Sequence, residues 1–173
     1  MSLKCEEGII NMANSISLET IGIAHTKFDK LENMPIQPTG EKASYGEIEV
    51  FPRFLDGLQD IEGFSHIIVI YSFHKVEKVK LKVKPFLDDN AHGVFATRAP
   101  VRPNHIGLSV VEIDNVKNNS IFVKNIDVLD GTPILDIKPF IPEFDIPKTK
   151  VRVGWINSSS KNVATMVSDD RFK

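Results

Sequence analysis

The chain holds a single cysteine, Cys5, among its 173 residues. One cysteine closes no internal disulfide, which fits a reducing compartment and leaves the fold to be held by burial. Metal chemistry has little to draw on: the five histidines are scattered, and neither HExxH nor CxxC occurs, so no metal site is expected. GxGxxG, the Walker pattern GxxxxGK[ST] and the GxSxG elbow are missing as well. A Rossmann or P-loop nucleotide site and a serine-hydrolase elbow are therefore not supported. No apolar run approaches the roughly 18 residues that cross a bilayer, and "HIIVIYSF" is only strand length. The lead "MSLKCEEGIINMANS" places acids where a secretory signal would be apolar. A cytoplasmic protein with no membrane partner is expected. Charge of one sign is not in excess either, with 21 basic against 23 acidic residues and a net charge of −2. That excludes a general nucleic-acid coat but leaves room for a local basic patch.

What is present is ordinary globular material: 42% hydrophobic and 25% charged residues, with no repeat or low-complexity tract. A chain of this length buries roughly 70% of its unfolded surface and needs no staple. Segments rich in β-branched and aromatic residues recur at 18–26, 45–51, 64–73, 79–85, 93–97, 107–116, 120–129, 134–140 and 151–156. Most are flanked by Gly, Pro, Asn or Asp, and several alternate apolar with polar residues. Helical periodicity is scarce: a turn or two is predicted after Pro52, over 52–60, and a short helix over 157–166. The pattern predicts an all-β, mainly antiparallel fold, a barrel or sandwich, with closure the usual way to remove exposed edges. Residues 1–16 read as a loosely packed lead, 17–156 as the domain and 157–173 as a tail. His66 and His74 share a strand face by period 2. They are about 26 Å apart at roughly 3.3 Å per residue, too far for one small site unless the strand breaks.

Three loops stand out: the first is richer than a connection needs to be, while the second and third, taken alone, read as a plain tight connection and a linker. "GVFATRAPVRPNHIGLSVVEI" (93–113) interrupts two strand-like pieces with Arg98, Pro100, Arg102, Pro103, Asn104 and His105. The prolines reduce the freedom lost when the loop is fixed, and arginine is the natural bidentate receptor for a carboxylate or phosphate. A plain crossover whose arginines pair with surface acids is the alternative, although such pairs contribute at most about 1 kcal/mol. "LDGTPILDIKPF" (129–140) opens with a turn whose Asp130, Gly131 and Thr132 can present backbone amides to a neighbour. Its Asp136 and Lys138 share one strand face and read equally as a solvated pair. "MPIQPTG" (34–40) is a proline-rich loop with one amide side chain, Gln37.

Taken together, "IGIAHT", "GLQDIEGFSHIIVIYSFHK", "GVFATRAPVRPNHIGLSVVEI" and "LDGTPILDIKPF" stand in the order found in the TsaA-like, or TrmO, tRNA methyltransferases. The chain resembles that family over about residues 18–156, and the third stretch is close to the family's "FATRSPxRPNPIGLS". The resemblance implies a small closed β-barrel with a few short helices that uses S-adenosylmethionine (SAM) without a Rossmann domain. It further implies a homodimer with the cofactor near the subunit boundary, and methylation of N6 of N6-threonylcarbamoyladenosine beside the anticodon of threonine tRNA. By position, the cofactor pocket would draw on Pro35, Ile36, Gln37, His74, Lys75, Arg98, Leu108, Asp130, Gly131, Thr132 and Pro133. In that pocket Arg98 suits the methionine carboxylate, Asp130 the ribose hydroxyls or amino group, and Leu108 and Pro133 the adenine. Methyl transfer from a sulfonium is an in-line displacement for which positioning supplies much of the catalysis. Asn104 is the candidate for orienting the acceptor, and Arg102, His105 and Lys138 are the candidates for RNA contact. The chain departs from the family at Ala99 (usually Ser), His105 (Pro), Ile36 (Arg) and Phe140 (Tyr), and its short ending resembles the compact archaeal-type members. A non-catalytic SAM- or RNA-binding barrel, or a methyltransferase with a small-molecule acceptor, are the competing readings.

Overall fold

A computed structural model describes residues 16–30, 44–86 and 88–156. Its strands are β1 (Gly22–Thr26), β2 (Tyr45–Val50), β3 (His66–Ser72), β4 (Lys82–Val83), β5 (His92–Gly93), β6 (Ile106–Lys117), β7 (Ser120–Lys124) and β8 (Thr132–Pro139). Six of them close into a barrel in the order β1-β2-β7-β6-β3-β8, while β4 and β5 pair separately. Every pairing is antiparallel.

Period-2 alternation builds this barrel directly. In β3, Ile67, Val69 and Tyr71 are buried while the residues between them are half-exposed. Facing strands contribute Ala24, Ile48, Val50, Val111, Ile121, Val123 and Ile134 to the same apolar interior. Register shifts at Ile70/Tyr71 against β8 and at Ile113/Asn115 against β7 bend the long strands around it. One end is plugged by Ile61, with Phe54 and Leu58 from the 3-10 turn Pro52–Leu58 that the proline was expected to start. At the other end β1 and β3 finish and β6 and β8 begin. There a second apolar cluster of Val83, Val94, Ala99 and Val101 forms a small lobe on the barrel.

Two expected strands are not strands. The stretch 93–97 contributes only its first residue to β5 and then turns as the 3-10 helix Val94–Ala96. Both the Thr97 amide (3.1 Å) and the Thr97 Oγ1 (2.9 Å) donate to the Val94 carbonyl and close that turn. The stretch 151–156 ends in the 3-10 turn Gly154–Ile156. The closed barrel offers this segment no edge to join. Gly154 takes φ 59, outside extended geometry, and Trp155 instead stacks on His92 at 4.6 Å and donates to the Ala96 carbonyl. The predicted helix over 157–166 and most of the lead lie outside the described residues. Among the described residues no helix is long and apolar enough to cross a membrane, and no cluster of metal-ligating side chains exists.

Candidate active site at the barrel mouth

The arginine–proline loop folds back upon itself. Arg102 Nη1 donates to the carbonyls of Thr97 and Ala99, both at 3.2 Å, and the Arg102 amide donates to Pro100. His105 takes φ 49, its amide donates to Arg102 and its carbonyl accepts from Phe73 at 2.7 Å. The ring Nε2 donates to the Lys78 carbonyl at 3.2 Å. A proline is held near φ −65°, so this left-handed conformation belongs to His105 and is closed to the family's usual residue. Ala99 is buried among valines, where a serine hydroxyl would need a partner. The loop is thus stapled internally by Arg102. Arg98 is exposed and has no ion pair or hydrogen bond among the described residues, yet its charge is felt at Tyr71 and Asp127. Asn104 is also exposed.

Beside Pro100 opens a cleft of about 90 Å³, whose walls include Tyr71, His74, Lys75, Asp127 and Thr132. Thr132 is buried at the start of β8, fixed by the preceding turn: its amide donates to Leu129 at 3.2 Å, and Gly131 adopts φ 75. Only glycine takes that conformation without strain. The turn is pinned to β1, because the Asp130 carboxylate accepts from the Thr26 amide at 3.0 Å and lies 3.9 Å from His25 Nδ1. His74, just past β3, approaches Thr132 Oγ1 at 3.5 Å. Burial first, and then the Lys75 charge, push its imidazole below the usual histidine range.

Sequence reasoning missed three residues in this end of the barrel. Tyr71 Oη is 3.2 Å from Ser109 Oγ, and Ser109 donates to Asp127 Oδ1 at 2.7 Å. Burial raises both the tyrosine and the aspartate above their ordinary ranges, while the Ser109 bond and Arg98 pull Asp127 part of the way back. The one signal was hydroxyls at inward positions of two apolar strands, with Tyr71 standing opposite Gly107 next to Ser109. A lysine series beyond Lys75 was missed too: Lys78, Lys80, Lys82 and Lys84 follow it within ten residues that hold one acid, Glu77. This arm runs beside the arginine loop, the Lys80 amide donating to the Val101 carbonyl at 2.9 Å. Lys84 is paired with Asp89 at 2.8 Å.

His74, Lys75 and Thr132 therefore share the cleft, with Asp130 and Gly131 in the turn beside it. Leu108, half exposed, lies on the outer face of β6, opposite in direction to Ser109, and Pro133 alternates outward between buried Thr132 and Ile134. Lys138 is bound to Asp136 at 2.6 Å on the outer side of β8. Pro35, Ile36 and Gln37 lie outside the described residues. Phe140 sits at the far end of β3, edge-on to His66, so its missing hydroxyl is remote from the cleft. A larger, shallow depression of about 640 Å³ lies at that far end too, lined by Glu62, Ser65 and Asp114 among others. It contains none of the predicted site residues.

A family model for the tRNA-methyltransferase O N-terminal domain matches residues 23–146. A "probable S-adenosyl-L-methionine-binding protein" of Pyrococcus abyssi is 47% identical over 91% of this chain and 85% of its own length. A human "tRNA (adenine(37)-N6)-methyltransferase" is 33% identical over 83% of this chain and 34% of its own. The crystal structure of TrmO from Pseudomonas aeruginosa superposes with a TM-score of 0.68 at 34% identity, covering 82% of this chain and 62% of that one. The chain thus spans about three fifths of the solved relative and a third of the human one.

Proposed function

The chain belongs to the tRNA-methyltransferase O family, and from that premise we propose that its barrel binds SAM and methylates an exocyclic nitrogen of adenine in tRNA. The observation that carries this reading is the convergence of three sequence-distant stretches, at 71–76, 100 and 127–132, upon one cleft. His74, Lys75, Pro100, Leu129 and Thr132 among them belong to the stretches that carry the family resemblance, and their chemistry fits a SAM tail. Arg98 offers an uncommitted guanidinium for a carboxylate. The cleft supplies apolar walls from Phe73, Val76 and Val128 beside a few polar groups. SAM, when bound, supplies an electrophilic methyl group on a positively charged sulfur. What the chain contributes is placement: Arg98 orients the tail, and the Asp130 turn presents a carboxylate oxygen and backbone at Gly131 to the nucleoside part.

About 90 Å³ is well below the roughly 300 Å³ at which ligand pockets begin, so the cleft accounts for part of a cofactor. The remainder falls to the loop at 34–40 and to a second copy of the chain. Leu108 and Pro133, directed outward, suit contacts across a homodimer boundary. The acceptor is N6 of N6-threonylcarbamoyladenosine beside the anticodon of threonine tRNA, and the lysine arm and Arg98 offer its phosphates a cationic approach. Asn104, exposed on the same loop, orients the acceptor.

Titration with S-adenosylhomocysteine, followed by methyl transfer from labelled SAM to total tRNA, tests the reading. Saturable binding and label in a threonine tRNA fraction are expected. No binding at about 1 mM ligand, near −4 kcal/mol, would remove the cofactor from the account. Binding without transfer would leave a non-catalytic barrel.

A further inference from the structure

We propose that Asp127 takes the proton from the acceptor nitrogen during methyl transfer, its carboxylate held ready by a directed hydrogen-bond chain from Tyr71 through Ser109. The proposal rests on the methyl-transfer reading above and names the proton acceptor that the sequence motifs do not announce.

The direction of the chain follows from chemistry. An ionised carboxylate only accepts, so at 2.7 Å the Ser109 hydroxyl must donate to Asp127 Oδ1. Ser109 Oγ is then free to accept, and the Tyr71 hydroxyl donates to it across 3.2 Å. Both donors therefore point toward Asp127, which lines the cleft together with His74, Lys75 and Thr132. The Asp127 backbone amide also favours the ionised carboxylate, and Oδ2 accepts no hydrogen bond from another side chain among the described residues. Stability alone is a poor reason for this arrangement. The neighbouring Ile126 and Val128 are fully packed core residues, and a buried carboxylate is generally costlier than an apolar side chain of similar size.

The groups that face Asp127 are Tyr71 from β3, Ser109 from β6, Arg98 from the arginine loop, and His74 with Lys75 beyond the end of β3. Two of these environments move in opposite directions. Burial makes Asp127 a better base than a free aspartate, and burial together with Lys75 makes His74 a worse one. His74 is also engaged with Thr132. Of the two bases in the cleft, the carboxylate is the one held by a directed pair of donors, while the His74 ring is turned to Thr132.

In the step, the acceptor nitrogen's lone pair forms the new N–C bond as the S–C bond breaks, its electron pair remaining on sulfur. The proton on that nitrogen passes to Asp127 Oδ2. One positive sulfur and one negative carboxylate are consumed, and a neutral thioether and a neutral carboxylic acid remain. A low-dielectric cleft favours a step that annihilates opposite charges.

Asp127→Asn keeps the shape and removes the base. The expected result is S-adenosylhomocysteine affinity within threefold of the parent and a single-turnover methyl-transfer rate at least about 100-fold lower, the usual span for general-base loss. In the parent protein the rate should rise with pH and level off once Asp127 is ionised. Ser109→Ala removes a bond that favours the carboxylate, so that rise should move to higher pH, and it should vanish in Asp127→Asn. An Asp127→Asn protein that transfers methyl within threefold of the parent rate overturns the proposal. So does a loss of S-adenosylhomocysteine binding in Asp127→Asn, which would make Asp127 a cofactor contact. If Asp127→Asn fails to fold, the Ser109→Ala profile decides: an unmoved rise overturns the assignment. A parent protein that binds S-adenosylhomocysteine yet methylates no tRNA defeats the underlying methyl-transfer reading, a result distinct from all of these.

Discussion

Two arginines four residues apart in one loop have opposite fates. Arg102 binds carbonyls of its own loop and so shapes it, while Arg98 is exposed and uncommitted among the described residues. Replacement should separate the two roles. Arg98→Ala should weaken S-adenosylhomocysteine binding by about 1.5–3 kcal/mol, the range for a hydrogen bond to a charged group, with the melting temperature unchanged. Calorimetric titration beside a thermal melt reads both, and unchanged affinity would give the methionine carboxylate another partner. The arginine pattern was legible in the sequence as a pre-aimed cationic loop. The division of labour was not, because it depends on which guanidinium finds carbonyls within reach. Asp127 was illegible for a related reason. It lies between β7 and β8, its neighbours Tyr71 and Ser109 come from β3 and β6, and only the β3–β6 register, Val69 opposite Ser109 and Tyr71 opposite Gly107, sets them side by side.

At the scale of elements, β3 and β6 carry the mouth of the barrel. Gly107 lies under the Tyr71 ring, where an added Cβ would overlap ring carbons and come within 2.9 Å of Phe73 Cζ. Gly107→Ala should therefore tilt Tyr71 away from Ser109 and destabilise the barrel by roughly 1–3 kcal/mol, as overpacking does. Urea denaturation measures the loss, and an unchanged midpoint would mean that the ring moves freely. The barrel strands were readable because inward and outward residues alternate, as in Ile67, Val69 and Tyr71. The failures at 93–97 and 151–156 share a cause. Both stretches have β-type composition, but the closed barrel offers them no edge, Gly93 alone pairing with β4, and local turn geometry prevailed.

Across the whole molecule the net charge of −2 conceals segregation. The lysine arm with Arg98 makes one cationic side next to the cleft, and Lys80 and Lys82 are exposed along it. A tRNA partner predicts affinity that falls steeply with salt. Lys80→Ala combined with Lys82→Ala should shrink the slope of log affinity against log salt by roughly 1–2, with S-adenosylhomocysteine binding untouched. Filter binding at several salt concentrations measures it, and an unaltered slope would place the phosphates on another face.

The barrel closes between its first and last strands, β1 with β8, and β2 waits for β7. Only β1–β2, β3–β6 and β6–β7 join barrel strands that follow one another in the chain. During synthesis β1 therefore emerges with one partner strand and lacks the other until residue 132 and those beyond have cleared the ribosome. Pairings of such long sequence separation are slow to form, and strand edges exposed in the meantime are open to wrong partners. The sheet that ends without an edge spends its translation with one, and the closing seam is its last step.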